Sequence, residues 1–484
     1  MRILLAACWL VVQFVATPAQ AAEPRKNIVL FVNDDLSTEL GCYGNQVIRT
    51  PHIDRLAADG VRFDYAFCTT ASCSASRSVL LTGLHNHANG QYGLAHAEHH
   101  FIGFAKPTLS VLLAEAGYRT ALIGKLHVLP EPTYKFGTVL KANPRNAVQM
   151  AEAVREFIAA KSEQPFFLYF CPTDPHRSAG LRPPGEPQPA ELNIDPFGNI
   201  PAGHTGVKEE KYSPDDVIVP PYLPDRPAVR AELAQYYQSV SRVDQGLGRL
   251  RQILKEAGVD QETLIVFTSD NGIAFPGAKT TLYEPGMRIP LLVYAPGVDN
   301  PDHKCGALVS HLDMTPTLLD YAGVKRTDAK GPLKFQGRSW LPVLKESQPQ
   351  GWDEVEASHT FHEVTMYYPM RAIRTRRYKL LWNLAQQLEF PFASDLFGSA
   401  TWQDALRRQK ASKSPAEVLY GQRTMTAFLQ RPQFELYDLN VDPHEIHNLA
   451  DSREHATVLK MMLEKLKSFQ RRTGDPWIIK WEHE

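Results

Sequence analysis

The chain has 484 residues, 43% of them hydrophobic and 22% charged, with a formal net charge of -1. That is ordinary globular composition, long enough for one large domain and a smaller one. Near-neutral charge argues against nucleic acid or an anionic membrane as a partner, while leaving room for a local basic site that takes an anionic substrate.

Arg2, the apolar run Ile3 to Ala16 and the small residues around Ala19-Gln20-Ala21 read as a signal peptide over residues 1–21, with the mature chain starting at Ala22. A membrane anchor fits less well, because the run is shorter than the ~20 residues a spanning helix needs. Leu5-Ala6-Ala7-Cys8 resembles a lipoprotein cleavage site, but almost no hydrophobic region would precede the cut. The expected location is secreted or periplasmic. The mature chain has no Asn-x-Ser/Thr sequon, which favours a bacterial exported protein over a lysosomal glycoprotein. Once Cys8 is removed, Cys42, Cys68, Cys73, Cys171 and Cys305 remain, an odd set with neither paired nor zinc spacing.

Strand and helix patterns then alternate. Asn27 to Val32 is a β-branched apolar run ending in Asn33-Asp34-Asp35, and a helix is expected over His52 to Asp59. A helix over Thr108 to Ala116 precedes a strand, Thr120 to Ile123, that runs into Gly124-Lys125-Leu126-His127. An amphipathic helix over Ala147 to Lys161 leads to a buried strand, Phe166 to Phe170, ending near Asp174 and His176. A long helix over Arg230 to Ala257 leads to Leu264 to Thr268, followed by Asp270-Asn271-Gly272. Pro-rich stretches at 182–189 and 219–227 read as surface loops.

This rhythm predicts an α/β fold, a large mostly parallel sheet flanked by helices, over residues 22–362. After Glu363 a hairpin (Met370 to Thr375, Tyr378 to Leu384), a strand (Phe434 to Leu439) and a helix (His455 to Arg471) predict a smaller α+β domain with an antiparallel sheet over 363–484. Each polar cluster follows a predicted strand end: Asp34 and Asp35, Lys125 and His127, Asp174 and His176, Asp270 and Asn271. Ligand sites in open α/β sheets collect at the carboxyl ends of strands, so these segments are expected to meet in one crevice.

Cys73-Ser74-Ala75-Ser76-Arg77 followed by Leu81-Thr82-Gly83 resembles the sulfatase signature. In that family the cysteine is oxidised to formylglycine, whose hydrate has one hydroxyl to attack sulfur and another to expel sulfate. Ala75 stands where most members have proline, which bears on which formylglycine-generating maturation enzyme performs the oxidation. The resemblance implies a divalent cation held by Asp34, Asp35, Asp270, Asn271 and the modified Cys73. Oxygen donors suit a hard ion such as calcium. It further implies that Arg77 and Lys125 pair with formylglycine and sulfate oxygens, and that Lys279 holds the sulfonyl oxygens. His127 takes a proton from the diol, and His176 donates one to the leaving group.

The resemblance covers nearly the whole mature chain and is greatest to the heparan N-sulfatase (sulfamidase) group. His87 to Gly93, Phe267 to Ile273, His362 to Met366, Glu435 to Asp438 and Asp442 to Glu445 carry it, although Lys279 stands where that group has arginine. It implies hydrolysis of the N-sulfate of terminal N-sulfoglucosamine in heparan or heparin fragments, with His100, His362 and Glu363 as candidate sugar contacts. A homodimer is compatible with it. The alternatives are an O-sulfatase on another sulfated sugar, a phosphoester or phosphonate hydrolase of the same superfamily, and a non-catalytic glycan-binding relic.

Overall fold

The computed structural model describes residues 26–96, 107–178, 195–297, 301–324 and 334–483, with the backbone of two short strands at 327–328 and 331–332. The expected signal peptide, His100 and the 182–189 stretch lie outside the described residues.

The large sheet has nine strands: β1 (Asn27–Asn33), β2 (Val61–Phe67), β3 (Arg119–Gly124), β4 (Thr138–Leu140), β5 (Phe166–Cys171), β6 (Thr263–Ser269), β7 (Arg288–Ile289), β8 (Leu291–Tyr294) and β9 (His303–Ser310). Their order is β4-β3-β5-β1-β6-β8-β2-β7, with β9 also paired to β2. The half holding β4, β3, β5, β1 and β6 is wholly parallel, whereas β8 runs against β6 and β2, and β7 runs against β2. Central β1 is buried at every position, as a strand covered on both faces must be, and this is why it reads as a continuous apolar run.

The helices include α1 (Pro51–Asp59) and α2 (Cys73–Thr82). The long helix spans Pro227–Glu256, and Gly246 lets it approach the helix Ala147–Ala153, where a Cβ would meet that of Ala147 at 2.2 Å. The helix expected over 147–161 is two, Ala147–Ala153 and Arg155–Ala159, separated at Val154.

The second sheet is antiparallel, with strands Glu354–His359, Met370–Thr375, Tyr378–Asn383 and Phe434–Asp438. Its first strand precedes residue 363. Alternate side chains face opposite ways. Ala372, Leu381 and Tyr437 join the main core, while Ile373, Leu380 and Leu436 pack on Met462, Leu466 and Phe469 of the closing helix Ala456–Thr473. The backbone N–H of Ser358 donates to the carbonyl of Thr69 (2.8 Å), tying this sheet to the loop that leads into α2.

Candidate active site

The carboxyl ends of β1, β3, β5 and β6 lie side by side, and backbone hydrogen bonds lace the segments that leave them. Asp270 N donates to Asn33 O (3.0 Å), Lys125 N to Cys171 O (2.8 Å) and Thr280 N to Ala71 O (2.8 Å). Asp35, His127 and Thr280 have φ of 64°, 55° and 68°. Non-glycine residues seldom take this left-handed conformation, and it is held here by the packed surroundings. At Gly124 φ is +90°, and an added Cβ would lie 2.0 Å from the carbonyl oxygen of Cys171. Only glycine lets β3 end there and turn Lys125 inward.

Cys73 opens α2 with 1% exposure, among the acidic and basic groups of the strand ends. Its Sγ lies 3.9 Å from Asp35 Oδ1. Burial holds the thiol well above its ordinary pKa, so as cysteine it stays protonated and is a poor nucleophile.

Asp34, Asp35 and Asp270 bring carboxylate oxygens within 4.8 Å of one another, all buried. Burial, with repulsion from Asp34, pushes Asp270 up to about 7 despite Arg77, and burial raises Asp35 despite Lys279. Asp34 is lowered, because Lys125, His176 and Arg77 together outweigh its burial. Asp34 Oδ1 and Asn271 Oδ1 are buried without a hydrogen-bond partner. Three converging buried carboxylates, two of them short of compensating positive charge, beside orphaned acceptor oxygens, fit the oxygen donor set of a hard divalent cation.

Cations surround this acidic centre. Arg77 donates from Nε to Asp270 Oδ2 (2.8 Å) and from Nη1 to Lys125 O (2.9 Å), and Lys125 Nζ donates to Asp34 Oδ2. Lys279 Nζ lies 2.9 Å from Asp35 Oδ2, 3.0 Å from Asp395 Oδ2 and 3.3 Å from His176 Nε2. Burial disfavours the Lys279 charge, but Asp35 and Asp395 keep it well above its ordinary pKa. Burial, reinforced by Lys279, holds His176 well below its own. Burial and Lys125 likewise depress His127, which hydrogen-bonds His96 (Nε2 to Nδ1, 2.7 Å) and stacks on its ring at 4.9 Å.

The structure thus brings Asp34, Asp35, Cys73, Arg77, Lys125, His176, Asp270, Asn271 and Lys279 to one centre, with His127 two residues from Lys125 on the same strand end. Asp174 turns elsewhere, to Arg145 (2.9 Å) and Arg242 (2.6 Å). His362 is buried, with Nδ1 2.9 Å from the hydroxyl of Ser72, the residue before Cys73. Glu363 Oε1 accepts from the N–H (3.0 Å) and hydroxyl (2.8 Å) of Ser394 and so anchors the short helix Ser394–Phe397. Asp395 and His96 lie outside the sequence-derived set, because neither sits in a motif or at a strand end.

Comparison with known proteins gives the chain its family. The family profile described as Sulfatase matches residues 26–324, and one described as N-sulphoglucosamine sulphohydrolase, C-terminal, matches residues 277–393. Human N-sulphoglucosamine sulphohydrolase is 41% identical over 94% of this chain and 92% of that protein. An ulvan-active sulfatase of Formosa agariphila is 26% identical over 94% of this chain and 82% of its own length. Among solved structures, one in complex with its substrate D-glucosamine-2-N,6-O-disulfate superposes with a TM-score of 0.65 at 22% identity, covering 93% of this chain and 99% of that one. The phosphonate monoester hydrolase of Agrobacterium radiobacter has the same fold, with a TM-score of 0.62 at 19% identity, covering 93% of this chain and 96% of its own. With the family profile over 26–324 and the human relative aligned along almost its whole length, the chain belongs to the sulfatase family and is a sulfatase.

Proposed function

We propose that this sulfatase hydrolyses the N-sulfate of terminal N-sulfoglucosamine in heparan or heparin fragments, with Cys73 matured to formylglycine and calcium held by Asp34, Asp35, Asp270 and Asn271. The 41% identity to human N-sulphoglucosamine sulphohydrolase across both parts of the chain carries the substrate. The proposal includes export behind a cleaved signal peptide and oxidation by a maturation enzyme that accepts Ala75. Among the described residues no helix is long and apolar enough to cross a membrane.

The matured residue would supply two hydroxyls on one carbon, and the cation would supply positive charge for the sulfate oxygens. The chain's own groups do the rest. Arg77, Lys125 and Lys279 hold the anion and meet the charge that builds on its oxygens, the largest kind of catalytic contribution. His127 is held neutral by its surroundings, as a proton acceptor must be, and its Nδ1 is buried without a partner and available for the diol proton. His176 delivers a proton to the leaving atom. Lys279 disfavours the imidazolium, but the negative charge of an incoming sulfamate favours it and restores the acid form.

The test is sulfate release from defined heparan-derived mono- and disaccharides, read by mass spectrometry. N-sulfated glucosamine should be the preferred substrate. Release from the 6-O-sulfated sugar alone would leave a sulfatase with a different substrate.

A further inference from the structure

Asp395 enters the charged centre from outside the motifs that define it. It lies on the short helix Ser394–Phe397, which Glu363 anchors at its first residue. Ala393 and Leu396 also pack on Ala274 and Met366, so this turn rests on the loop between Asn271 and Lys279. One carboxylate oxygen, Oδ1, accepts the N–H of Leu396 (2.8 Å), while Oδ2 meets Lys279 Nζ at 3.0 Å. An oxygen of Asp395, one of Asp35 and a ring nitrogen of His176 all lie within 4.8 Å of one another. The side chains of Asp395 and His176 are 13% and 24% exposed while that of Lys279 is 0% exposed, so these two are the members of the cluster that solvent reaches.

The leaving group makes this placement significant. Cleavage of an O-linked sulfate releases a neutral alcohol. In hydrolysis of a sulfamate the nitrogen lone pair takes a proton from His176 as the S–N bond breaks, so nitrogen carries positive charge until the bonding electron pair passes to it. The released amine then takes a second proton from solvent water, matched by the diol proton that His127 returns to solvent, and departs as an ammonium. Sulfamate and water thereby give alkylammonium and sulfate dianion, with charge conserved. Lys279 opposes positive charge on that nitrogen, and the carboxylate of Asp395, paired with Lys279 and close to His176, offsets that opposition.

Resting on the N-sulfatase reading, we propose that Asp395 is a specificity-determining residue for nitrogen-linked sulfate, its carboxylate facing the leaving nitrogen and stabilising the positive charge gained there. An O-linked sulfate develops no such charge and gains little from it.

The experiment compares the matured, cation-loaded wild type with Asp395→Asn, which keeps the shape and removes the charge, and with Asp395→Glu. On glucosamine N-sulfate, kcat of the Asn variant should fall on the order of 100-fold with KM little changed, the size expected for one charge-stabilising group. On 4-nitrophenyl sulfate, whose phenolate leaves without a cationic stage, kcat should also fall, because Lys279 loses a partner, but at least about tenfold less than on the sulfamate. Asp395→Glu should recover part of the lost rate. Binding of glucosamine, the ammonium product, should weaken in the Asn variant by calorimetry, while inorganic sulfate binding should not. Equal loss on both substrates would reduce Asp395 to a support for Lys279 and overturn the proposal, and so would no loss on either. An Asn variant that does not fold, shown by a collapsed thermal midpoint, would overturn it if Asp395→Glu folds and still loses both substrates equally. A wild type inactive on the sulfamate but active on the aryl sulfate would overturn the substrate reading as well, which separates the two failures.

Discussion

Single residues carry the chemistry, and two can be tested directly. A peptide spanning Cys73 from active enzyme should contain an aldehyde residue in place of the thiol by mass spectrometry. Cys73→Ser should lose on the order of a thousandfold or more, because one hydroxyl cannot both bond sulfur and expel it. Full activity with an intact thiol would refute the nucleophile. Asp270 gives a pH test. In cation-free protein the folded chain keeps a proton on Asp270 up to about 7, whereas the unfolded chain releases it in the ordinary carboxylate range. Between those limits the folded state binds more protons, so this group's contribution to stability falls as pH rises. Cation binding needs the deprotonated carboxylate, so the rise in Tm on adding calcium should grow from about pH 5 to about pH 8. A calcium-induced shift that is flat across that range would exclude Asp270 as a ligand. Asp34, Cys73 and Lys125 were legible in the sequence because each sits in a motif or at a strand end. Asp395 was not, since its pairing with Lys279 arises only when a distant turn folds back onto the β6 loop.

At the scale of elements, the strands that carry the site read most clearly. β1, β3, β5 and β6 are short buried apolar runs with polar residues at their carboxyl ends, and the fold places them together. β2 was hidden because Arg62 and Asp64 interrupt its hydrophobic pattern. Arg62 pairs with Asp64 at 2.8 Å, which makes the charges tolerable in a strand whose Val61, Phe63, Ala66 and Phe67 are buried. β7 and β8 flank Pro290 and are too short to stand out; their pairing with β2 and β6 is a tertiary matter. Gly124 couples an element to the centre. Gly124→Ala should cost about 2–4 kcal/mol in denaturant unfolding, from the clash with the Cys171 carbonyl and the positive φ. It should also depress activity by displacing Lys125 and His127. Unchanged stability and rate would mean that β3 can shift without disturbing the site.

Across the whole molecule, the expected division into a large α/β part and a small antiparallel part understates how firmly they are joined. Val355, Ala357, Met370 and Ala372 of the small sheet belong to the main core. Buried Lys379 pairs with Glu445 (2.8 Å) and with Glu284 (3.2 Å), the latter on the segment leading to β7. Lys379→Met would leave those two buried carboxylates facing each other and should cost about 3–5 kcal/mol in chemical denaturation. A loss below about 1 kcal/mol would show that the cluster relaxes or takes up protons instead. The same intimacy predicts that residues 22–353 expressed alone give insoluble protein, because removing the second sheet uncovers apolar core. Composition could not reveal this, since it does not say which apolar residues of one part pack on the other.

The depth of Cys73 also sets an order of events. A residue at 1% exposure, opening a helix whose ten residues are all buried, offers no approach to another protein once the chain has folded. If oxidation is enzymatic, it must act on the nascent or translocating chain, and folding closes the window for good. Chains that fold first would be stranded as inactive thiol protein, stable but beyond later rescue. Cell-made protein should therefore be a mixture of two populations with a ratio set during synthesis. Treating folded thiol protein with maturation enzyme should leave that ratio unchanged, and treating it after unfolding should shift it.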